Sequence, residues 1–407
     1  MKIKKETFEN KDGEKISAVL DLPVDQKPHN YAVFAHCFTC SKNLSAVKNI
    51  SRALTSNGFG VLRFDFTGLG ESEGDFSDTN FSSNVDDLIN VTEQFGKKYA
   101  APTLLIGHSL GGAAAIVAAN SLPEIKAVAT IAAPSNTEHV KKLLTSDIDE
   151  IKTKGEATVN LSGRKFKIKK QFIDDLDNNN IQKIVKKWGK SLLIFHSPLD
   201  EIVGIDNASE IFTAAKHPKS YISLHDADHL LSEPKDSLYV GETISMWASG
   251  YLDIPVPDKQ KSNMQVVASL GEDKYTTQVQ AGKHSFTADE PEKRGGNDYG
   301  PNPYDLLASA VATCKAMTMK MYAERKKWDL KEVDVHVTHS KDHAEDCNKC
   351  EDSSDAMIDK FDVLIDLEGD LNDTQRERLL EISAKCPVHR SLQNDIEFHS
   401  ELSGDKE

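Results

Sequence analysis

The segment Gly107-His108-Ser109-Leu110-Gly111-Gly112 sets a serine among glycines, just after the apolar run Thr103 to Ile106 and before an alanine-rich stretch. There the glycines let a strand turn sharply into a helix, lifting the Ser109 hydroxyl out of a sheet and leaving a helix N-terminus to favour a developing oxyanion. A serine hydroxyl alone is a weak nucleophile, so a base and an orienting acid are required. Asp200 follows the apolar run Ser191 to Phe195, and His229 follows Tyr221 to Leu224. Serine, aspartate and histidine in that chain order, each behind an apolar run, suit attack on an ester-like carbonyl. Asp226 and Asp228 compete with Asp200 as orienter, while His108, His196 and His225 read as structural.

A second constellation is made of thiols. Cys314 lies within an expected helix from Pro303 to about Lys326, where Leu307, Val311, Cys314, Thr318 and Met321 share one apolar face, so the thiol is expected to be buried or half-buried. Cys386 directly precedes Pro387, a residue suited to the first helical position, and the helix N-terminal field would favour its thiolate. Cys37 and Cys40 form a Cys-x-x-Cys without thioredoxin-like surroundings, for which packing is the simpler role. His339, His343, Cys347 and Cys350 are ligand types that zinc prefers, but their spacing is not that of a standard finger and a solvated hairpin also carries such residues. No metal site and no cofactor is assigned.

The elements that must hold these groups follow from patterning. Short apolar runs (Tyr31 to Ala35, Val61 to Phe64, Thr103 to Ile106, Ala127 to Ile131, Ser191 to Phe195, Tyr221 to Leu224) alternate with amphipathic stretches such as Ser45 to Ser56, Asn84 to Phe95, Leu110 to Ser121 and Asn207 to Ala215. That rhythm predicts a mostly parallel sheet covered on both faces, preceded by a hairpin of Lys2 to Phe8 and Ile16 to Leu22. Asn136 to Lys187 is charged and poorly periodic and reads as a cap or lid. Two prolines and polar residues at 253–261 signal a linker, giving domains of 1–252 and 262–407. The second is expected to be α+β, with strands near Gln265 to Leu270, Tyr275 to Ala281, His284 to Ala288, Val333 and Val363. Helices from Asp373 to Lys385 and from Pro387 follow, and a last strand at Ile396 to Leu402.

The 407 residues suit two cores, and the net charge of −15 with 28% charged residues describes an acidic protein that repels phosphate backbones and anionic lipid, so neither nucleic acid nor membrane is expected as a partner. Six cysteines in so long a chain are no disulfide framework. With no apolar segment behind the first lysines, a cytoplasmic location is expected.

Residues 1 to about 250 resemble the α/β-hydrolase family. The resemblance implies the α/β hydrolase fold, a Ser109, Asp200, His229 triad, and an oxyanion hole formed by the backbone N–H groups of Leu110 and Phe38. Where the family has His-Gly and an apolar residue, this chain has His36-Cys37-Phe38. Residues 262 to 405, with the loop from Asp289 to Pro303, Cys314 and Cys386-Pro387-Val388-His389, resemble the OsmC/Ohr family. That likeness implies an α+β OsmC-like domain, organic hydroperoxide reduction through Cys314 and Cys386, a dithiol reductant, and an intertwined homodimer. The best-studied peroxidases of the family use an arginine, and a glutamate directly after the proline opening the helix. Here Tyr304 holds the latter position, leaving Arg294 and Asp305 as the supporting residues of the thiol site.

Overall fold

A computed structural model describes residues 2–24, 26–136, 148–161, 164–175, 181–254, 264–343 and 357–402. By packing the chain divides into two compact units, Met1–Thr287 and Ala288–Glu407. The expected linker at 253–261 lies mostly outside the described residues, and the three strands that follow it group with the first unit.

The first unit is built on an eight-stranded sheet of β1 (Lys2–Glu9), β2 (Lys15–Leu22), β3 (Asn30–Ala35), β4 (Phe59–Phe64), β5 (Leu104–His108), β6 (Ala127–Ile131), β9 (Ser191–His196) and β10 (Lys219–Ser223). Their spatial order is β1-β2-β4-β3-β5-β6-β9-β10. β1 and β2 form the antiparallel hairpin and β2 pairs antiparallel with β4, while the remaining pairs are parallel. Because side chains alternate along a strand, each central strand feeds two cores. Val33, Leu62, Leu105, Val128 and Leu192 face one apolar cluster, and Phe34, Val61, Ile106, Ala129 and Leu193 face the other. Both faces being covered, the central strands read as continuous apolar runs rather than alternating ones.

Helices α1 (Ser45–Ser56), α2 (Phe81–Lys98) and α3 (Leu110–Ser121) lie over this sheet. The sequence of α3 is mostly small and apolar because the helix is buried on nearly all sides. Asn80 caps α2 and exchanges hydrogen bonds with Ser83 in a capping box.

The charged stretch expected as a cap is ordered in its described parts. It comprises helices Ile148–Lys154, Lys170–Asp175 and Ile181–Lys187 and an antiparallel hairpin of β7 (Glu156–Leu161) and β8 (Arg164–Lys169). Periodicity hid the hairpin because its exposed face is lysine-rich, whereas Val159, Ile168, Phe172, Ile173, Ile181 and Val185 are buried in the main core. β11 (Val266–Leu270), β12 (Thr277–Ala281) and β13 (His284–Ala288) form a separate sheet. Two polar contacts tie it to α1: Arg52 pairs with Asp273 at 2.6 Å, and the Ser56 hydroxyl donates to Gln278 at 2.5 Å.

In the second unit, the helix Pro303–Lys326 packs against a long hairpin of β14 (Asp329–His343) and β15 (Met357–Asp370) and against the helices Asp373–Ser383 and Pro387–Gln393. The apolar centre is small, formed by Met319, Ala323, Leu330, Leu371 and Leu379. Residues 395–402 form no strand, contrary to expectation, and expose Ile396, Phe398 and Leu402. No described strand pairs with the segment, so its backbone groups join no ladder.

Candidate functional site

Ser109 sits at the junction of β5 and α3 with φ 55° and ψ −125°, a left-handed conformation that a non-glycine residue adopts only under constraint. The constraint is visible. The Ser109 N–H donates to Ile131 O at 2.8 Å, and its carbonyl accepts from Gly112 at 2.8 Å. A Cβ at Gly111 would lie 2.4 Å from the carbonyl oxygens of Ala35 and His36, and one at Gly107 would lie 2.3 Å from Gly111 O. These glycines are needed for the close approach of strand, helix and the loop after β3.

Asp200 follows β9 and His229 follows β10, so the three side chains meet at the C-terminal edge of the sheet, where loops of adjacent parallel strands converge. His229 Nδ1 lies 2.7 Å from Asp200 Oδ2, and its Nε2 lies 3.0 Å from Ser109 Oγ. Asp200 Oδ1 accepts from the N–H groups of Ile202 and Val203, both at 2.9 Å. Burial pushes the Asp200 carboxyl up, but the hydrogen bond and charge of His229 together with those two N–H donors outweigh it, so the group stays below its ordinary range and ionised.

The competing residues are placed elsewhere. Asp228 accepts from the Ser232 N–H at 2.8 Å, and Asp226 and His225 are exposed. His108 donates through Nε2 to the His229 carbonyl at 2.7 Å, and burial, then the neighbouring His229, lowers its pKa to about 3. It is therefore a neutral strut beneath the histidine loop. His196 donates to Val203 O at 2.6 Å and shapes the Asp200 loop in the same way.

Phe38 and Leu110 line one small cavity with His36, Cys37, Phe66 and Gly111. Among the described residues the N–H groups of Phe38 and Leu110 meet no acceptor, as an oxyanion hole requires. The Phe38 ring stacks on Phe172 of the helix Lys170–Asp175 at 5.2 Å and tilts against Phe76 at 5.4 Å. Cys37 and Cys40 are not separate packing residues as expected but are joined by a disulfide.

The thiol constellation belongs to the second unit. Cys314 and Cys386 are neighbours, with Cys386 fully buried and Cys314 partly exposed. Cys386 is the N-cap of the helix Pro387–Gln393, its Sγ accepting from the His389 N–H at 3.4 Å. That field was expected to favour the thiolate. Burial pushes the thiol up instead, and the adjacent Cys314 adds to this against the His389 N–H and Lys315, so Cys386 is held as a thiol.

The buried stripe of the helix Pro303–Lys326 is Val311, Lys315, Met319 and Ala323, offset from the expected face. Met321, expected on that face, is 70% exposed. Lys315 is thereby a buried cation beside the thiols, missed because a lysine in an apolar stripe reads as a surface residue. Its Nζ donates to Ser383 O at 3.2 Å and to His389 Nδ1 at 2.9 Å. Burial lowers its pKa, with Cys386 and Cys314 opposing.

Arg294 and Asp305, by contrast, are engaged elsewhere. Arg294 is exposed and pairs with Glu290 at 3.5 Å, while Asp305 accepts from the Asn302 N–H at 3.0 Å in the capping box of its own helix. Tyr304 stacks on His339 at 4.2 Å, and His339 contacts Asp359 at 2.8 Å. Cys347 and Cys350 lie outside the described residues, as does the His343 side chain, and no group of metal-ligand type is found among the described residues.

Comparison with known proteins accords with both halves. Residues 26–146 match the family described as serine aminopeptidase S33, and residues 295–401 match the family described as OsmC-like protein. The esterase domain of a Rhodothermus marinus protein, a solved structure, is 52% identical, with a TM-score of 0.52 over 62% of this chain and 99% of that one. Mouse mitochondrial palmitoyl-protein thioesterase ABHD10 is 25% identical over 204 residues, 48% of this chain and 67% of its own. Escherichia coli O157:H7 YfhR, an uncharacterized protein, is 23% identical over 227 residues, 55% of this chain and 72% of its own. No helix among the described residues is long and apolar enough to cross a membrane.

Proposed function

Since the chain belongs to the α/β-hydrolase family and carries an OsmC-like domain behind the hydrolase, we propose that it is a bifunctional enzyme, a serine hydrolase of ester-like bonds fused to a thiol-dependent organic hydroperoxide reductase. The observation that carries the first activity is His229 bridging Ser109 Oγ and Asp200 Oδ2 at 3.0 and 2.7 Å. Ser109 passes its proton to His229 Nε2 as it attacks the acyl carbon. The Phe38 and Leu110 N–H groups receive the oxyanion, and His229 then protonates the leaving group. Water repeats the sequence to free the acid.

Similarity to a palmitoyl-protein thioesterase supports including thioesters among the acyl substrates. The test is hydrolysis of p-nitrophenyl and thioester acyl series by the purified protein and by Ser109→Ala. Full activity in the variant would refute the serine mechanism.

For the second activity, the Cys314 sulfur takes the terminal oxygen of an organic hydroperoxide, giving a sulfenic acid and an alcohol. Cys386 then displaces water to form a disulfide, and a dithiol reduces it by exchange. Support comes from the neighbouring thiols and from Lys315, a buried residue whose charge acts on both of them where the family supplies an arginine. The small core of this unit, with Met317, Met321 and Phe398 exposed, favours a homodimer through the OsmC-like domain, which sedimentation would register as twice 44.9 kDa. A second reading makes this domain a dimerisation or small-molecule binding module. It is favoured by Tyr304, which stands where the best-studied peroxidases of the family have a glutamate and is stacked on His339. Hydroperoxide consumption with excess dithiol, lost in Cys314→Ser and Cys386→Ser, separates the two.

A further inference from the structure

The disulfide between Cys37 and Cys40 closes a four-residue turn, Cys37-Phe38-Thr39-Cys40, with the Cα atoms 5.3 Å apart. The turn holds Phe38, the oxyanion donor contributed by the loop after β3. Thr39 within it adopts φ 64°, a costly conformation for a β-branched residue, and the Cys40 N–H donates to Cys37 O at 3.1 Å. Cys37 is buried against the cavity that Phe38 and Leu110 line, whereas Cys40 is partly exposed. The Phe38 ring packs on Phe172 and Phe76, while the direction of its backbone N–H is set by the dihedrals of the turn that the disulfide closes.

We propose that Cys37 and Cys40 are a redox-active pair governing the serine centre: the disulfide holds the Phe38 N–H in the oxyanion hole, and the dithiol form releases it. The proposal rests on the serine-hydrolase reading above. In reduction, a thiolate of a small dithiol attacks the accessible Cys40 sulfur, the S–S bond breaks, and Cys37 leaves as a thiolate that takes a proton. The second thiol of the reductant then resolves the mixed disulfide, so two electrons and two protons pass to the protein and the reductant departs as its own disulfide. In oxidation, an organic hydroperoxide gives its terminal oxygen to one thiolate, leaving as the alcohol, and the other cysteine expels water from the sulfenic acid. The hydrolase thus responds to the kind of oxidant the fused domain is proposed to consume.

The test equilibrates the full-length protein in dithiothreitol buffers of graded potential. The state of the Cys37–Cys40 peptide is read by alkylation and mass spectrometry, and kcat and KM for p-nitrophenyl acetate are measured at each potential. We expect kcat to follow the disulfide fraction reversibly. It should fall by at least about tenfold on full reduction, and by up to the roughly 10²–10³-fold that complete loss of an oxyanion donor costs, with KM little changed. Cys40→Ser should show the reduced-state kcat at every potential. Equal kcat in the oxidised and reduced protein, a pair that never changes state across the series, or Cys40→Ser matching the oxidised protein would each overturn the proposal while leaving the hydrolase intact. Undiminished turnover in Ser109→Ala would instead refute the serine mechanism itself.

Discussion

Lys315 Nζ lies 2.9 Å from His389 Nδ1, joining the residue after Cys314 to the residue three beyond Cys386. Two helices that carry one thiol each are thereby linked through a cation and an imidazole. A lysine ammonium has no acceptor lone pair, so Nδ1 accepts and His389 is neutral. Burial and then the Lys315 charge lower the His389 pKa, in keeping with that state.

Replacing Lys315 by Met should therefore slow oxidation of Cys314 by an organic hydroperoxide roughly tenfold, because it removes the buried cation beside the reacting thiol. Lys315→Arg should recover part of it. Stopped-flow trapping of the sulfenic acid across pH is the check, and an unchanged rate and pH profile in Lys315→Met would assign the lysine to packing alone.

Asp200→Asn keeps the shape of the loop but removes the charge that orients and stabilises His229. Ester hydrolysis should fall by about 10⁴-fold, the cost of the same change in other triads. Asp228→Asn should leave kcat within about twofold, because Asp228 serves the Ser232 N–H rather than the histidine. A larger loss in Asp228→Asn than in Asp200→Asn would reverse the assignment.

His108 makes stability depend on pH. Its ordinary value of 6.5 falls to about 3 in the folded chain, so below 6.5 the unfolded chain binds a proton that the folded one refuses. This stabilising contribution is complete above 6.5 and is lost progressively as pH falls toward 3. The slope is about 1.4 kcal/mol per pH unit, or about 2 kcal/mol between pH 7 and 5. Urea unfolding of the protein and of His108→Gln should diverge by that amount at the lower pH, whereas parallel profiles would mean that His108 is protonated in the folded state.

Gly111→Ala would drive a Cβ to 2.4 Å from the Ala35 and His36 carbonyls, backbone atoms that cannot rotate away. Overpacking of this kind costs about 1–3 kcal/mol. Because the displaced strand end leads directly into Phe38, kcat should fall as well. An unchanged urea midpoint would show that the elbow tolerates a methyl group.

Much of this protein was legible in its residues. The βα rhythm, the helix starts at Ser45, Leu110, Pro303, Asp373 and Pro387, and the order Ser109, Asp200, His229 follow from local rules: apolar runs, capping residues, and glycines where a strand must turn sharply. Such signals act over a few residues and survive without knowledge of neighbours. The tertiary structure decided what depends on encounters between distant segments. The packing separated Asp200 from its competitors Asp226 and Asp228, while which stripe of the long helix was buried and which cation faced the thiols could not be read from spacing, since Lys315 looks like any surface lysine. The field at Cys386 was correctly located in the sequence, but its outcome was not, because burial is a property of the packed neighbourhood and outweighs a single N–H donor. The hairpin in the charged stretch after β6 was hidden for the same reason: its apolar residues are too sparse to show a period, and only the core they enter makes them a strand pair.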